Sequence, residues 1–317
     1  MTDTTLRLEG LHHITAITAD APANVDFYAR LFGLRLVKKT VNFDAPDVYH
    51  LYYGDEQGTP GSILTFFEFP GAAVGRAGDG MVHTILWRVP SPASLEFWDA
   101  RLDAEGVAHA FTADGALRFT DPEGLAHELV VTDVPDRPLV ADASDIPAEH
   151  ALQGFAGVRA YASAPERSAP LLQALGLTLE DASDAATWTA AGVARRATIT
   201  YEPPLAGRGR PGAGTIHHIA WSVADDGELE AYRGNARAGG AQPTPIIDRQ
   251  YFHSVYFREP SGVLFELASR DIGFDVDEPA ETLGSELKLP PQYEARRAEL
   301  VVRLTPIVNP RQAEVTA

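Results

Sequence analysis

The chain has 317 residues, 26 of them basic and 44 acidic, and its formal net charge of −18 disfavours a nucleic-acid partner, because phosphate contacts need a basic face. It has no cysteine, which excludes a disulfide framework, a thiolate metal site and a cysteine nucleophile. Hydrophobic residues at 45% allow a sizeable core, yet no stretch approaches the roughly 20 apolar residues that span a bilayer, and the polar start MTDTTLRLEG lacks a signal-peptide pattern; no membrane association and a cytoplasmic protein are expected.

The first element predicted is a strand in LHHITAIT, followed by a helix in APANVDFYARLFGL. Val25, Tyr28, Leu31 and Phe32 fall at helical spacing, with Asp20 placed to cap the helix and Gly33 to end it. Strand-like runs follow in DVYHLYYGD and SILTFFEF, rich in aromatic and β-branched residues.

The same order of elements then recurs. MVHTILWRV leads to the helix SPASLEFWDARLDAEG and to LRFTDPEGLAHELVV. A third copy runs from FAGVRAYAS through ERSAPLLQALGL to RRATITYEPP, and a fourth from HHIAWSV through DGELEAYRGNARAGG to SVYFREPSGVLFELAS. Four units of strand, helix and several strands predict an α+β fold built as two pairs. The expected division is an N-terminal domain over 1–140, a C-terminal domain over 141–275 and an extension over 276–317.

Aligning the opening and closing strands pairs His13 with Glu68, His83 with Glu128, Gly157 with Glu202 and His218 with Glu266, at separations of 45 to 55 residues. A lone strand histidine is ordinarily structural. A glutamate among apolar neighbours, as in LFELA, is costly to bury unless it is paired or binds a metal. Two histidines and a carboxylate on one face form the facial triad of non-haem Fe(II) sites, with open positions for further ligands, and His13, His218 and Glu266 would supply it. Side chains alternate along a strand, so only one histidine of each doublet enters the site. The shared spacing to Asp20 and Asp225 favours the second. Gly157 replaces a histidine in the third unit, so the fourth unit needs the first as partner. His83 and Glu128 read as relics of duplication, although a cup of His13, Glu68, His83 and Glu128 would form if the first two units paired.

The stretches LHHITAITADAPANVDFYARLFGLRLVKKTVNFDAP, YHLYYGDEQGTPGSILTFF, IHHIAWSVAD, DRQYFHSVYFREPSGVLFELA and LGSELKLPPQY resemble the vicinal oxygen chelate superfamily over essentially the full length. Within it they are most similar to ring-cleaving dioxygenases of para-hydroquinones. The resemblance implies βαβββ modules paired into cups, Fe(II) (or Mn(II)) held by His13, His218 and Glu266, and a small aromatic diol with O2 as reactants. It places Arg249 and Tyr256 beside the bound diol, and His12, Thr15 and His217 near the metal. His253 is read as solvent-facing. A symmetric homo-oligomer is compatible with such an enzyme. Two rival readings stay open. Glu68 as a fourth ligand would suit a glyoxalase-like isomerase or lyase that does not use O2, and a bleomycin-resistance-type binding protein would have cups without metal.

Overall fold

Each unit folds as a strand, a helix and three further strands in the computed structural model, which describes residues 6–181, 185–205 and 208–311. The first unit contributes β1 (Leu11–Thr18), β2 (Arg35–Val41), β3 (Tyr49–Gly54) and β4 (Ile63–Glu68). The second contributes β5 (Met81–Val89), β6 (His109–Phe111), β7 (Leu117–Thr120) and β8 (Ala126–Val131). The third has β9 (Phe155–Tyr161), β10 (Thr178–Asp181), β11 (Ala186–Ala191) and β12 (Arg196–Glu202), and the fourth β13 (Thr215–Val223), β14 (Ile247–Asp248), β15 (His253–Arg258) and β16 (Leu264–Ser269).

The capping residues explain where the helices begin. Asp20 accepts from the Ala23 amide at 3.0 Å, and Asp225 accepts from the Glu228 amide at 3.0 Å to start the helix Asp226–Ala238. The first helix differs from the regular one that the spacing predicts. It is α-helical over Ala21–Val25 and widens to a π turn over Asp26–Leu31 before Gly33 ends it at φ +71°. The wider turn places Phe27, Tyr28 and Phe32 together on the second unit, where Phe32 meets Trp87 and Trp98 edge-on with centroids 5.3 and 5.6 Å apart.

The two eight-stranded sheets are mixed, and the fold is α+β. One sheet runs β14-β15-β16-β13-β1-β4-β3-β2 and joins the first unit to the fourth; the other runs β10-β11-β12-β9-β5-β8-β7-β6 and joins the second to the third. At each seam the opening strands pair antiparallel, β1 with β13 and β5 with β9. Gly157 stands at the inner seam, where a Cβ would lie 2.2 Å from Thr198 Oγ1. The third unit therefore has no room for a histidine there.

Register corrects three of the four pairings read from sequence. Ala220, two residues beyond His218, lies level with Glu266, and by the same step Thr15 lies level with Thr65 and Arg159 with Thr200. Glu68 and Glu202 sit farther along their strands. In the second unit Glu128 is level with Leu86, two residues beyond Thr84, so Thr84 and not His83 stands where the fourth unit has His218.

Beyond β16 the extension returns along the edge strand β2. Leu287 bridges to Lys39, and the Lys288 amide donates to the Lys39 carbonyl at 2.9 Å. The extension thus covers backbone that an edge strand would leave open. Among the described residues no helix is long and apolar enough to cross a membrane.

Candidate metal centre

β1, β13 and β16 are neighbours in the outer sheet, and their side chains converge on one point of its concave face. His13 Nε2 lies 3.2 Å and His218 Nε2 2.9 Å from Glu266 Oε2, and the two imidazole nitrogens are 3.3 Å apart. All three residues are buried, Glu266 completely. Among the described residues they form the one cluster of histidine, aspartate and glutamate compact enough to hold a metal ion.

The hydrogen-bond network fixes how one ring points. His12 Nε2 lies 3.0 Å from the Ser269 carbonyl oxygen, which can only accept, so this nitrogen carries the proton. His12 Nδ1 is then bare and accepts from His13 Nδ1 at 3.0 Å. That leaves His13 Nε2 as a lone pair aimed at a carboxylate oxygen. The fourth unit repeats the contact, with His217 Nδ1 2.8 Å from His218 Nδ1. Glu266 Oε1 accepts from the Ser254 hydroxyl, while Oε2 is fully buried and lacks a properly directed hydrogen bond. The His13 lone pair and the buried carboxylate oxygen repel unless a cation stands between them, so the donor set fits a divalent metal.

The electrostatics agree. Burial alone would raise the Glu266 carboxyl, and positive charge at the His13 and His218 edges, which a cation between these rings would supply, holds it well below the ordinary range. Burial lowers His218 and brings His12 to about 3, so both are neutral at pH 7 and can offer lone pairs.

The cluster opens on a cavity of about 600 Å³ whose lining includes Phe43, His50, Tyr52, Phe67, Phe252 and Leu264. Thr15, His217, Arg249 and Tyr256 also line it, so the structure brings these sequence-predicted residues to the same space as His13 and His218. His12 lies behind His13, buried against Phe252. Arg249 Nε donates to the Tyr256 hydroxyl at 3.3 Å with the guanidinium 5.3 Å from the ring centre, and Tyr256 stands edge-on to His218. His253 is elsewhere, in an ion pair with Asp226 at 2.6 Å. Glu68 is also outside the cavity, where its Oε1 accepts from the Ala21 amide at 3.1 Å.

Sequence reasoning passed over His50 and Tyr52. Their signal was the alternation in YHLYY, which puts both on one face of β3. Tyr52 Oη lies 2.8 Å from His50 Nδ1, His50 Nε2 lies 2.9 Å from Thr65 Oγ1, and Thr65 donates to Thr15 at 2.9 Å. This buried chain ends two residues from His13.

Comparison with known proteins places this site in a family. The sequence family described as the Glyoxalase/Bleomycin resistance protein/Dioxygenase superfamily matches residues 10–129 and 159–267. A Bacillus subtilis protein assigned as a ring-cleaving dioxygenase, MhqO, is 39% identical over 302 residues, covering 94% of this chain and 96% of its own. The chlorohydroquinone/hydroquinone 1,2-dioxygenase of Sphingobium indicum is 34% identical over 310 residues, covering 93% of this chain and 95% of its own. A crystal structure of a Bacillus subtilis protein assigned as a dioxygenase superposes with a TM-score of 0.90 at 38% identity, covering 96% of this chain and 99% of that one. With repeated units paired into two cups and a compact His–His–Glu cluster in one of them, the chain belongs to the Glyoxalase/Bleomycin resistance protein/Dioxygenase superfamily.

Proposed function

We propose that this chain is a non-haem, Fe(II)-dependent ring-cleaving dioxygenase that opens hydroquinone or substituted hydroquinones with O2, with His13, His218 and Glu266 holding the iron. The observation that carries the reading is the fully buried Glu266 oxygen, faced by two imidazole nitrogens at the end of an aromatic-walled cavity. The names of the Sphingobium and Bacillus relatives supply the choice of ring diol. Mn(II) suits the same donors.

Bound at these three residues, Fe(II) supplies Lewis acidity toward a phenol hydroxyl and the one-electron chemistry that O2 requires. The remaining work falls to the chain. The hydroxyls of a para-diol lie at opposite ends of the ring, so one reaches the metal centre while the ring is gripped by Phe67, Phe252 and Leu264. His12 and His217 hold the ligand imidazoles in place through their Nδ1 contacts. Burial raises the Tyr256 phenol, which therefore keeps its proton and can donate to oxygen near the metal. Arg249 adds a fixed positive charge to the same wall, favouring negative charge that develops on the diol or on oxygen. Thr15 accepts from Thr65, so its own hydroxyl proton is left for a bound phenol oxygen.

A three-residue set favours an oxygenase over the glyoxalase-like reading, and Glu68, turned to the Ala21 amide, adds no fourth donor. The test is to purify the protein without air, load Fe(II), and follow O2 uptake with hydroquinone, methylhydroquinone, chlorohydroquinone and catechol. Uptake with the para-diols is expected. Confirmed iron binding without uptake on any of these rings would overturn the reading.

A further inference from the structure

The extension lies beyond the family match, which ends at residue 267, yet it reaches both lips of the cavity. One lip is the loop between β14 and β15, which carries Arg249 and Phe252. Phe252 packs on the imidazoles of His12 and His13, with centroids 5.1 and 4.9 Å apart. Between Arg249 and Phe252, Gln250 has φ +68°, and it is the one non-glycine residue with positive φ among the described residues. A side chain with a Cβ resists this conformation, which persists only where the surroundings hold it.

The hold comes from the extension. Asp277 Oδ2 accepts from Gln250 Nε2 at 2.7 Å and from the Tyr251 hydroxyl at 3.0 Å, while Oδ1 lies 2.7 Å from Lys38 Nζ. Lys38 is fully buried on β2, also bonds Glu278 at 2.8 Å, and sits 5.3 Å from the Tyr251 ring centre. Phe274, just ahead of the extension, packs on Tyr251 and on Tyr52, with centroids 5.1 Å away in each case. At the opposite lip the Tyr293 hydroxyl donates to the Phe43 carbonyl at 2.7 Å, and the adjacent Asp44 pairs with Arg249 at 3.3 Å. Both lips, which meet at the Arg249–Asp44 pair, are therefore anchored by the same segment.

We propose that Asp277 is a positioning residue: through Gln250 and Tyr251 it sets the Arg249–Phe252 loop against the metal centre, and so governs how a ring diol is seated without governing whether metal binds. Asp277 touches neither the cavity nor the His13–His218–Glu266 cluster, and its action is carried by the loop backbone. The ring diol, the metal and the assay substrate rest on the ring-cleaving reading, whereas the hold of Asp277 on the loop does not.

The test is Asp277→Ala, read in three ways on the full-length protein: iron content after loading with Fe(II), amide hydrogen exchange resolved over residues 248–253, and kcat and KM for hydroquinone. Iron content should equal that of the wild type. Exchange should quicken in the loop while β1, β13 and β16 keep their protection, and kcat/KM should fall by up to about a hundredfold, as misplacement of positioning groups does. Gln250→Gly added to Asp277→Ala should recover part of the loss, because glycine enters the left-handed region without outside support. A purely global stabilising role would leave that double variant no better. If Asp277→Ala does not fold, Asp277→Asn carries the same readouts, since it keeps one acceptor oxygen and loses the charge facing Lys38. A folded variant with unchanged exchange or unchanged kcat/KM overturns the proposal, as does iron content falling in step with activity. If the iron-loaded wild type does not consume O2 with hydroquinone, the ring-cleaving reading fails, and the exchange measurement still decides the role of Asp277.

Discussion

The two cups of this molecule bury a carboxylate at the same height and compensate it differently. In the outer cup Glu266, level with Ala220, faces the Nε2 edges of His13 and His218. In the inner cup Glu128, level with Leu86, is held by Arg159 at 2.9 Å and Arg118 at 2.6 Å. Arg159 extends the network to Glu202 at 2.9 Å, which His83 approaches at 3.3 Å while stacking on Tyr161. A buried ionised carboxylate is costly unless a cation or several hydrogen bonds satisfy it. The inner cup supplies one from the chain, so its floor is closed. The outer cup has its arginine, Arg249, set back against Tyr256, so its carboxylate is left open to a cation from outside. Duplication thus yielded one cup that stabilises and one that can bind.

Removing a donor from the outer cup should have the largest effect. His218→Ala is expected to abolish retained iron and lower kcat/KM on the order of a thousandfold or more, since metal-centred stabilisation amounts to several kcal/mol. Metal analysis and O2 uptake on the same sample check this, and retained iron would place the metal elsewhere. The inner cup should answer in the opposite way. Arg159→Met leaves Glu128 buried with only the more exposed Arg118, and should cost about 3 kcal/mol of stability. Denaturant unfolding reads the loss, and iron binding should be intact. Loss of iron in this variant would mean that the cups are not separable in this way.

A finer test lies behind the ligands. His12→Ala removes the acceptor of His13 Nδ1 and the link to Ser269, so His13 can turn. Metal affinity should fall by about tenfold to a hundredfold, the usual effect of losing such a partner. Titration with Fe(II) under argon measures it. An unchanged affinity would show that packing against Phe252 alone orients the ring.

How much of this was legible in the sequence depended on which periodicities it carried. The repeated doublet, its fixed distance from Asp20 and Asp225, and the gap at Gly157 were enough to link the first unit to the fourth. Glu68 shows where that reasoning stopped. Loop lengths differ between units, so carboxylates on the closing strands could not be aligned without register. Thr65, not Glu68, sits level with Thr15, and a shift of three residues sends a strand side chain to the other face. His50 and Tyr52 belong to no repeat, and the contacts of Asp277 with Gln250 and Lys38 join segments far apart in the chain. No local pattern marks the Asp277 contacts, and the alternation in YHLYY shows only that His50 and Tyr52 share a face.

A third buried carboxylate completes the comparison, because it has no cation at all. Asp121 lies between the first and second units, accepting from the Tyr28 hydroxyl at 2.9 Å and from the amides of Glu123 and Leu125. His127 Nδ1 accepts from the Trp87 indole at 3.1 Å, so its Nε2 carries the proton and donates to Tyr28 at 3.0 Å. Burial brings His127 to about 3, and it stays neutral. The same burial raises Asp121 to about 6 despite its hydrogen bonds, so below that pH a proton does what arginine does in the inner cup. A carboxyl raised in the folded state stabilises the fold fully below its unfolded value near 4 and loses that contribution as the pH climbs through about 6. Between pH 4 and pH 7 the wild type should therefore lose on the order of 2 kcal/mol relative to Asp121→Asn, whose neutral amide does not titrate. Parallel unfolding curves across that range measure the difference. If the two proteins keep a constant gap, the hydrogen bonds from Tyr28 and the two amides suffice to hold the ionised carboxylate, and burial without a cation is less costly at this seam than in either cup.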